Sequence, residues 1–174
     1  NTVVTGSGTS FACPNMAGLT ACLWQGFPEY NNMRIIQVLR ESSNRYINPD
    51  DRTGYGIPNL KQAFGKLLTQ YATSTASVNN CSATLQWNSK DIAAMRYEIE
   101  RKSPGETNFS KIADVAAKLG SILTNQSYQF QQTLSNVNAG TIQYRIRQII
   151  DTTSSIFTAI YIDTAILNLA SNCF

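Results

Sequence analysis

The hydrophobic periodicity of the chain changes near residue 72, and this change constrains the fold more than any other feature. Residues 10–68 carry apolar side chains at spacings typical of helices. From residue 83 onward, β-branched and aromatic residues alternate with polar ones, as in strands with one buried face. Residues 72–77 between them are small and polar. The sequence predicts a helical part at residues 1–71, a linker at residues 72–77 and an all-β part at residues 78–174.

The helical part contains three predicted helices. The first, about residues 10–25, is apolar on more than one face and carries almost no charge, so we expect it to be buried inside something large. Asn31 and Asn32 are suitable caps for a second helix, and Pro58 suits the first turn of a third. No strand pattern accompanies these helices, so their core is expected to be incomplete.

The second part is expected to form an antiparallel β-sandwich. Residues 81–88 alternate between the two sides of a strand, and similar runs follow at residues 97–102, 109–113, 128–133, 141–150 and 156–163. Breaks that are charged or rich in Gly, Asn and Ser separate these runs. About 100 residues of short strands with such breaks are typical of a sandwich.

The composition excludes several classes of function. The chain contains no histidine, so any imidazole that a reaction needs must come from elsewhere. The net charge is +3 and no basic block occurs, so no nucleic-acid partner is expected. No run reaches the roughly 18 apolar residues of a membrane span. The four cysteines lack the close pairs of a zinc site, so we predict neither a metal nor a cofactor.

Ser10 is the first candidate for chemistry. Gly8 permits a tight turn before a helix, and Pro14 is expected in or just after the first helical turn, where its missing N–H costs little. Two interpretations of Ser10 follow. It is either an N-cap or a reactive hydroxyl at the positive end of the helix, where backbone N–H groups would stabilise an oxyanion.

The surrounding run resembles the active-site serine signature of the subtilisin-like serine peptidases, the subtilases. The positions that match the signature are Gly8, Thr9, Ser10, Ala12, Pro14, Ala17 and Gly18. Asn15 stands where many members carry histidine, but that histidine is not part of the catalytic triad. The resemblance continues through Thr53-Gly54-Tyr55-Gly56 and covers about residues 1–70. It implies that this part is the helical C-terminal portion of an α/β subtilisin-like domain.

The resemblance implies a role for Ser10 and a missing partner. Ser10 would be the nucleophile, and its own backbone N–H would contribute to the oxyanion hole. The family order of the triad is aspartate, histidine, serine. Only nine residues precede Ser10, and they contain neither an aspartate nor a histidine. A missing N-terminal portion of the peptidase domain would therefore supply both, and the chain alone is expected to be inactive.

The residues around Trp87 and Tyr144 carry a second resemblance, to fibronectin type III and related immunoglobulin-like sandwiches of secreted bacterial proteins. It rests on residues 85–87, 97–101 and 144–147. Trp87 and Tyr144 are either core residues between two sheets or an aromatic surface for a sugar or protein ligand.

Together the two resemblances imply a secreted or cell-surface bacterial endopeptidase that acts on proteins or peptides. The first alternative is that the β-sandwich, as an accessory binding or spacer module, is the functional element. The second is that the parent is a pseudo-peptidase. In a secreted protein, Cys81 and Cys173 could pair, because the first and last strands of such a sandwich can lie side by side. Cys13 and Cys22 are nine residues apart on one helix and are expected to be free thiols.

Overall fold

The computed structural model describes residues 8–91, 96–118, 123–150 and 159–174; for residues 159–164 it describes the backbone alone. The chain divides into two compact units, Asn1–Leu67 and Leu68–Phe174. The boundary lies within the last helix, a few residues before the predicted linker. Each unit is described by itself below.

The described residues form three helices: α1 at Thr9–Gly26, α2 at Asn32–Glu41 and α3 at Leu60–Tyr71. The side chain of Asn31 caps α2 by accepting a hydrogen bond from the Arg34 N–H at 2.9 Å. The buried face of α2 consists of Ile35, Val38 and Leu39. These residues are three and four positions apart, as on one face of an amphipathic helix, so burial of a single apolar stripe positions α2.

Helix α1 is mostly exposed among the described residues of the first unit. Its buried residues are Leu23 and Gly26, near its C-terminal end. Phe11, Leu19 and Trp24 are 57%, 43% and 40% exposed. Because the apolar residues lie around the whole helix, a few helices of one small unit cannot cover them. The incomplete core that the sequence predicts is visible here.

Two pairs of residues bridge the connection between α2 and α3 and bring its ends together. Ser43 pairs with Pro58 and Asp50 pairs with Gly54 in isolated β-bridges. Gly56 has φ 79°, and a Cβ atom on it would come within 2.1 Å of the Asn44 side-chain oxygen. That oxygen accepts the Ile57 N–H at 2.9 Å. A glycine is therefore required at position 56.

The second unit consists of two antiparallel sheets. One has the order β1-β2-β5 and the other the order β4-β3-β6-β7. The strands are β1 at Thr73–Asn79, β2 at Ser82–Ser89, β3 at Arg96–Lys102, β4 at Ser110–Ala116, β5 at Gln126–Thr133, β6 at Gly140–Ile149 and β7 at Ala159–Leu169. Most predicted runs coincide with these strands. The first three residues of the run predicted at 156–163 lie outside the described residues.

The linker predicted at residues 72–77 is not a linker, because this segment is most of β1. The strand pairs with β2 along its whole length, from Thr73 opposite Asn88 to Asn79 opposite Ser82. Its half-buried residues are Ser74, Ala76 and Val78, and the residues between them are exposed. Small side chains on both faces hid this alternation in the sequence.

Large aromatic side chains fill the space between the two sheets. Trp87 stacks on Tyr128, with ring centroids 5.3 Å apart, and meets Tyr97 edge-on at 5.5 Å. Trp87 and Tyr144 are almost fully buried. Each aromatic contact of this kind adds about 0.5–1.5 kcal/mol beyond the area buried. Of the two interpretations of Trp87 and Tyr144, the structure therefore supports the core.

Candidate functional site

Ser10 lies in the first turn of α1. The N-cap is Gly8, and Ser10 is the second residue of the helix, with an exposed side chain. Gly8 has φ 145°, in the range that favours glycine. Its carbonyl accepts the Phe11 and Ala12 N–H groups at 3.1 and 3.4 Å. Since Gly8 occupies the cap position, the interpretation of Ser10 as an N-cap is wrong.

The backbone N–H of Ser10 is suited to bind an anion. The N–H groups at the start of a helix have no acceptor within the helix, and that of Ser10 precedes the first helical hydrogen bonds of α1. The first turn contains no acidic side chain. The positive end of the helix dipole is therefore not neutralised from within its own first turn.

Pro14 lies just after the first turn of α1, within the range that the sequence predicts, but at a position where its missing N–H is not without cost. The helix begins at Thr9, so Pro14 is its sixth residue. A helical residue at position 14 would normally donate its N–H to the carbonyl of Ser10, four residues earlier, and proline has no N–H to give. The Ser10 carbonyl thus lacks its usual helical partner, and this weakens the helix at the candidate nucleophile.

The other signature residues lie on the same helix. Ala12, Ala17 and Gly18 are exposed. A Cβ atom on Gly18 would meet no other atom within 4 Å. Among the described residues, nothing requires these three to be small.

A carboxylate of the first unit could replace the missing histidine only if it were free to accept a proton, and two of these carboxylates are held by cations. Glu41 contacts Arg34 at 3.2 Å and Lys66 at 3.3 Å. Burial raises the pKa of Glu41, but hydrogen bonds from Gln37, Lys66 and Arg34 outweigh it and leave the pKa below its ordinary value. A general base working near neutral pH needs a raised pKa. Glu41 is therefore unsuited to activate Ser10.

Asp50 is unsuited for a similar reason. The backbone N–H and the hydroxyl of Thr53 donate to its carboxylate, at 2.6 and 2.8 Å, and lower its pKa. Arg45 lies 2.7 Å from the same carboxylate. Neither carboxylate can take the place of the histidine that this sequence lacks.

The cysteines divide into two kinds. Cys13 and Cys22 are free and exposed on α1. Cys81 and Cys173 form a disulfide with their Cα atoms 5.6 Å apart. Backbone hydrogen bonds hold both cysteines in place. The Leu134 N–H donates to the Cys81 carbonyl, and Val137 and Cys173 each donate an N–H to the carbonyl of the other. The C-terminal residues are thereby fixed to the turn between β1 and β2.

A cavity of about 610 Å³ lies on the β1-β2-β5 sheet and was not predicted from the sequence. Its lining includes Thr75, Gln86 and Gln129, and Lys118 lies beside it. The signal in the sequence was the alternation of Ser, Thr, Asn and Gln along three strands. That pattern was interpreted only as a solvent-facing side.

Within the described ranges, the structure contains no group of three or more His, Cys, Asp or Glu side chains that could hold a metal ion. No helix in the same ranges is long and apolar enough to cross a membrane.

Comparison with solved structures gives a weak similarity. The crystal structure of the pectate lyase PelI from Erwinia chrysanthemi in complex with tetragalacturonic acid aligns with 55% of this chain and 26% of its own, with 14% identity and a TM-score of 0.38. The chain thus spans about a quarter of the length of that protein, and the low score carries no conclusion about fold or function.

Comparison with protein families gives a specific match. No curated protein matches the chain. Residues 1–65, which contain Ser10 and the whole signature, match the sequence model of the Subtilase family, Peptidase_S8. Residues 1–65 are therefore similar to the subtilase family, over less than half of the chain.

Proposed function

We propose that the parent protein is a secreted serine endopeptidase of the subtilase type, and that this chain is its C-terminal fragment with an accessory β-sandwich. One observation carries the proposal: Ser10 occupies the second position of α1, exposed, at the correct place in a complete signature. The substrate is a protein or peptide.

The chemistry is acyl transfer. The Ser10 hydroxyl oxygen attacks the scissile carbonyl carbon while a histidine takes its proton and passes it to the leaving amine. The Ser10 backbone N–H donates to the developing oxyanion. A water molecule then attacks the acyl group and releases Ser10. The histidine and its aspartate belong to the missing N-terminal portion.

The exposed surface of α1 supports the proposal of a missing N-terminal portion. Phe11, Leu19 and Trp24 expose large apolar areas on a helix with no charged residue. Exposed apolar surface of this extent marks a contact with other protein. In the proposed parent, the rest of the peptidase domain would cover it and bring the histidine to Ser10.

The proposal is tested by labelling the full-length parent with a fluorophosphonate probe. We expect stoichiometric labelling that Ser10→Ala abolishes, together with loss of casein hydrolysis. Ser43→Ala is the matched control, because Ser43 lies outside the signature and its hydroxyl donates to the Leu39 carbonyl of α2 at 2.8 Å. An unlabelled parent with a folded domain would instead support a pseudo-peptidase.

The β-sandwich is the second candidate functional element, as a fibronectin type III-like binding or spacer module. The observation that favours it is the arrangement of three and four antiparallel strands around an aromatic core. Its disulfide favours a location outside the cytoplasm, where such bonds persist. Casein hydrolysis by the parent, compared with hydrolysis by a variant that lacks residues 72–174, would show whether peptide hydrolysis requires this module.

A further inference from the structure

Charge is distributed unevenly between the two sheets. Strands β1, β2 and β5 contain no Asp, Glu, Lys or Arg along their whole length. Strands β3, β4 and β6 of the other sheet contain nine such residues. All the charged residues of these six strands therefore lie in one sheet, and the other presents an uncharged outer face.

The outer face of the β1-β2-β5 sheet is an ordered array of hydroxyl and amide groups. In one row, Thr75 lies opposite Gln86, which lies opposite Gln129. The Gln86 amide donates to the Gln129 side-chain oxygen at 3.4 Å. The remaining rows are Thr73, Asn88 and Ser127; Ser77, Thr84 and Gln131; and Asn79, Ser82 and Thr133. At about 3.3 Å per residue, the rows extend over about 20 Å.

Two of these rows border the cavity of about 610 Å³. This volume lies within the range of about 300–1,000 Å³ that is usual for ligand sites. Lys118 also borders it, but its ammonium donates to the Ser127 carbonyl at 2.6 Å and lies 5.1 Å from the centre of the Tyr128 ring. Among the described residues of the lining Lys118 is the one cation, and these contacts hold it in place without neutralising its charge.

The chemistry of this cavity selects its ligand. A multiply charged polymer would lose water and meet, among the described residues of the lining, a single ammonium and no carboxylate, which is unfavourable. An apolar ligand would leave the amide and hydroxyl groups without partners. A neutral ligand rich in hydroxyl groups can pair with both, since each amide offers two donors and an acceptor.

We propose that the cavity and the polar rows that continue from it bind a neutral polysaccharide. A polymer fits better than a single sugar, because the rows extend along the strands beyond the cavity. The inference rests on the second part of the proposed function, that the β-sandwich is a binding module. It does not depend on catalysis by Ser10.

The test is affinity electrophoresis of the 174-residue chain in native gels. The gels contain hydroxyethyl cellulose, soluble starch or galactomannan as neutral polymers, and carboxymethyl cellulose as an anionic one. We expect at least one neutral polymer to retard the chain, and Gln86→Ala/Gln129→Ala to weaken the affinity about tenfold, because two hydrogen-bonding side chains are lost. The matched control is Thr141→Ala/Gln143→Ala on β6, which should bind as the wild type does.

Several outcomes would overturn the proposal. These are no retardation in any neutral polymer, retardation in carboxymethyl cellulose alone, or equal weakening by both double variants. Retention on immobilised casein that Gln86→Ala/Gln129→Ala abolishes would assign the surface to a protein partner instead. Thermal melting confirms that each variant is folded. Ser10→Ala in the parent should leave polymer binding unchanged, so failure here and failure of the peptidase proposal are distinguishable.

Discussion

The carboxylate of Asp91 accepts a hydrogen bond from the hydroxyl of Tyr128 at 2.5 Å, and both side chains are buried. Tyr128 donates to Oδ2, which also accepts the backbone N–H of Lys118 at 2.9 Å, whereas Oδ1 accepts the Tyr97 hydroxyl at 2.8 Å. Tyr128 lies in β5 of one sheet and Tyr97 in β3 of the other. One buried carboxylate therefore joins the two sheets beside the proposed polysaccharide site.

The first prediction is that the β-sandwich loses stability in alkali through Tyr128. Burial, together with the Asp91 carboxylate, raises the pKa of Tyr128 to about 12, compared with about 10 in an unfolded chain. A pKa that is raised by folding contributes stability. This stability is fully present below the pKa of the unfolded chain and is lost as the pH rises through the pKa of the folded chain. We expect the free energy of unfolding to fall between about pH 10 and 12.

Urea unfolding at a series of pH values, followed by fluorescence, measures this loss. Tyr128→Phe should cost about 1.5–3 kcal/mol at neutral pH, because a hydrogen bond to a charged group is lost. It should also make the decline in alkali shallower. Tyr46→Phe is the control, since Tyr46 is exposed in the first unit. An unchanged pH profile in Tyr128→Phe would contradict the prediction.

The second prediction concerns Glu98, a buried carboxylate on β3. It contacts Arg96 at 2.8 Å, Lys111 at 3.2 Å and Arg147 at 3.3 Å. Burial raises the pKa of Glu98, but hydrogen bonds from Arg96 and Lys111 outweigh it and leave the pKa lowered. The stability that this provides is present above the unfolded pKa and is lost as the pH falls through the folded pKa.

Glu98→Gln should therefore destabilise the chain at neutral pH by about 1–3 kcal/mol and reduce its sensitivity to acid below about pH 4.5. The matched control is Asp114→Asn, because Asp114 shares the partners Arg96 and Lys111 but is exposed. Exposed pairs contribute at most about 1 kcal/mol. Equal losses in the two variants, measured by urea unfolding, would show that burial of Glu98 has no special effect.

The third prediction is that the disulfide stabilises the β-sandwich. Cys81 and Cys173 are separated by 92 positions. In the chain-entropy model, closing a loop of this size contributes about 4–5 kcal/mol. Cys173→Ser should lower the melting temperature strongly, and non-reducing peptide mapping should join the two peptides in the wild type. Cys13→Ser/Cys22→Ser, which removes only free thiols, should melt as the wild type does.

The sequence predicted those elements in which large apolar residues mark one face. Strand β2 was predicted from the alternation around Leu85 and Trp87, which are both buried. Strand β1 was missed because Ser74 and Ala76 are small enough to resemble a linker. Hydrophobic periodicity in a sequence reveals the burial of large apolar side chains. An edge strand with small side chains shows little such periodicity.

The candidate sites differ in the same way. Ser10 was identified because its motif fixes residue types at exact spacings along one helix. The cap at Gly8 was not predicted, and the effect of the missing Pro14 N–H was underestimated, since helix boundaries are set by backbone geometry that the residue types specify only loosely. The polar cavity depends on the register between three strands, and a single sequence does not contain that register.

The last prediction is that the 174-residue chain alone hydrolyses no peptide. A serine hydroxyl must lose its proton as it attacks, and without a positioned base Ser10 stays a weak nucleophile despite the N–H groups at the start of α1. In subtilisin itself, loss of the histidine costs about as much as loss of the whole triad, roughly a factor of 10⁶ in turnover. Glu41 and Asp50, whose pKa values are lowered, cannot replace it.

The measurement exposes the purified chain to a fluorophosphonate probe and to casein at neutral pH. We expect no labelling and no hydrolysis, while a full-length parent handled in parallel should show both. Melting of the β-sandwich in the same sample verifies that the chain is folded. Stoichiometric labelling of Ser10 in the isolated chain, absent in Ser10→Ala, would mean that a group within these residues serves as the base, and the requirement for an external histidine would then be wrong.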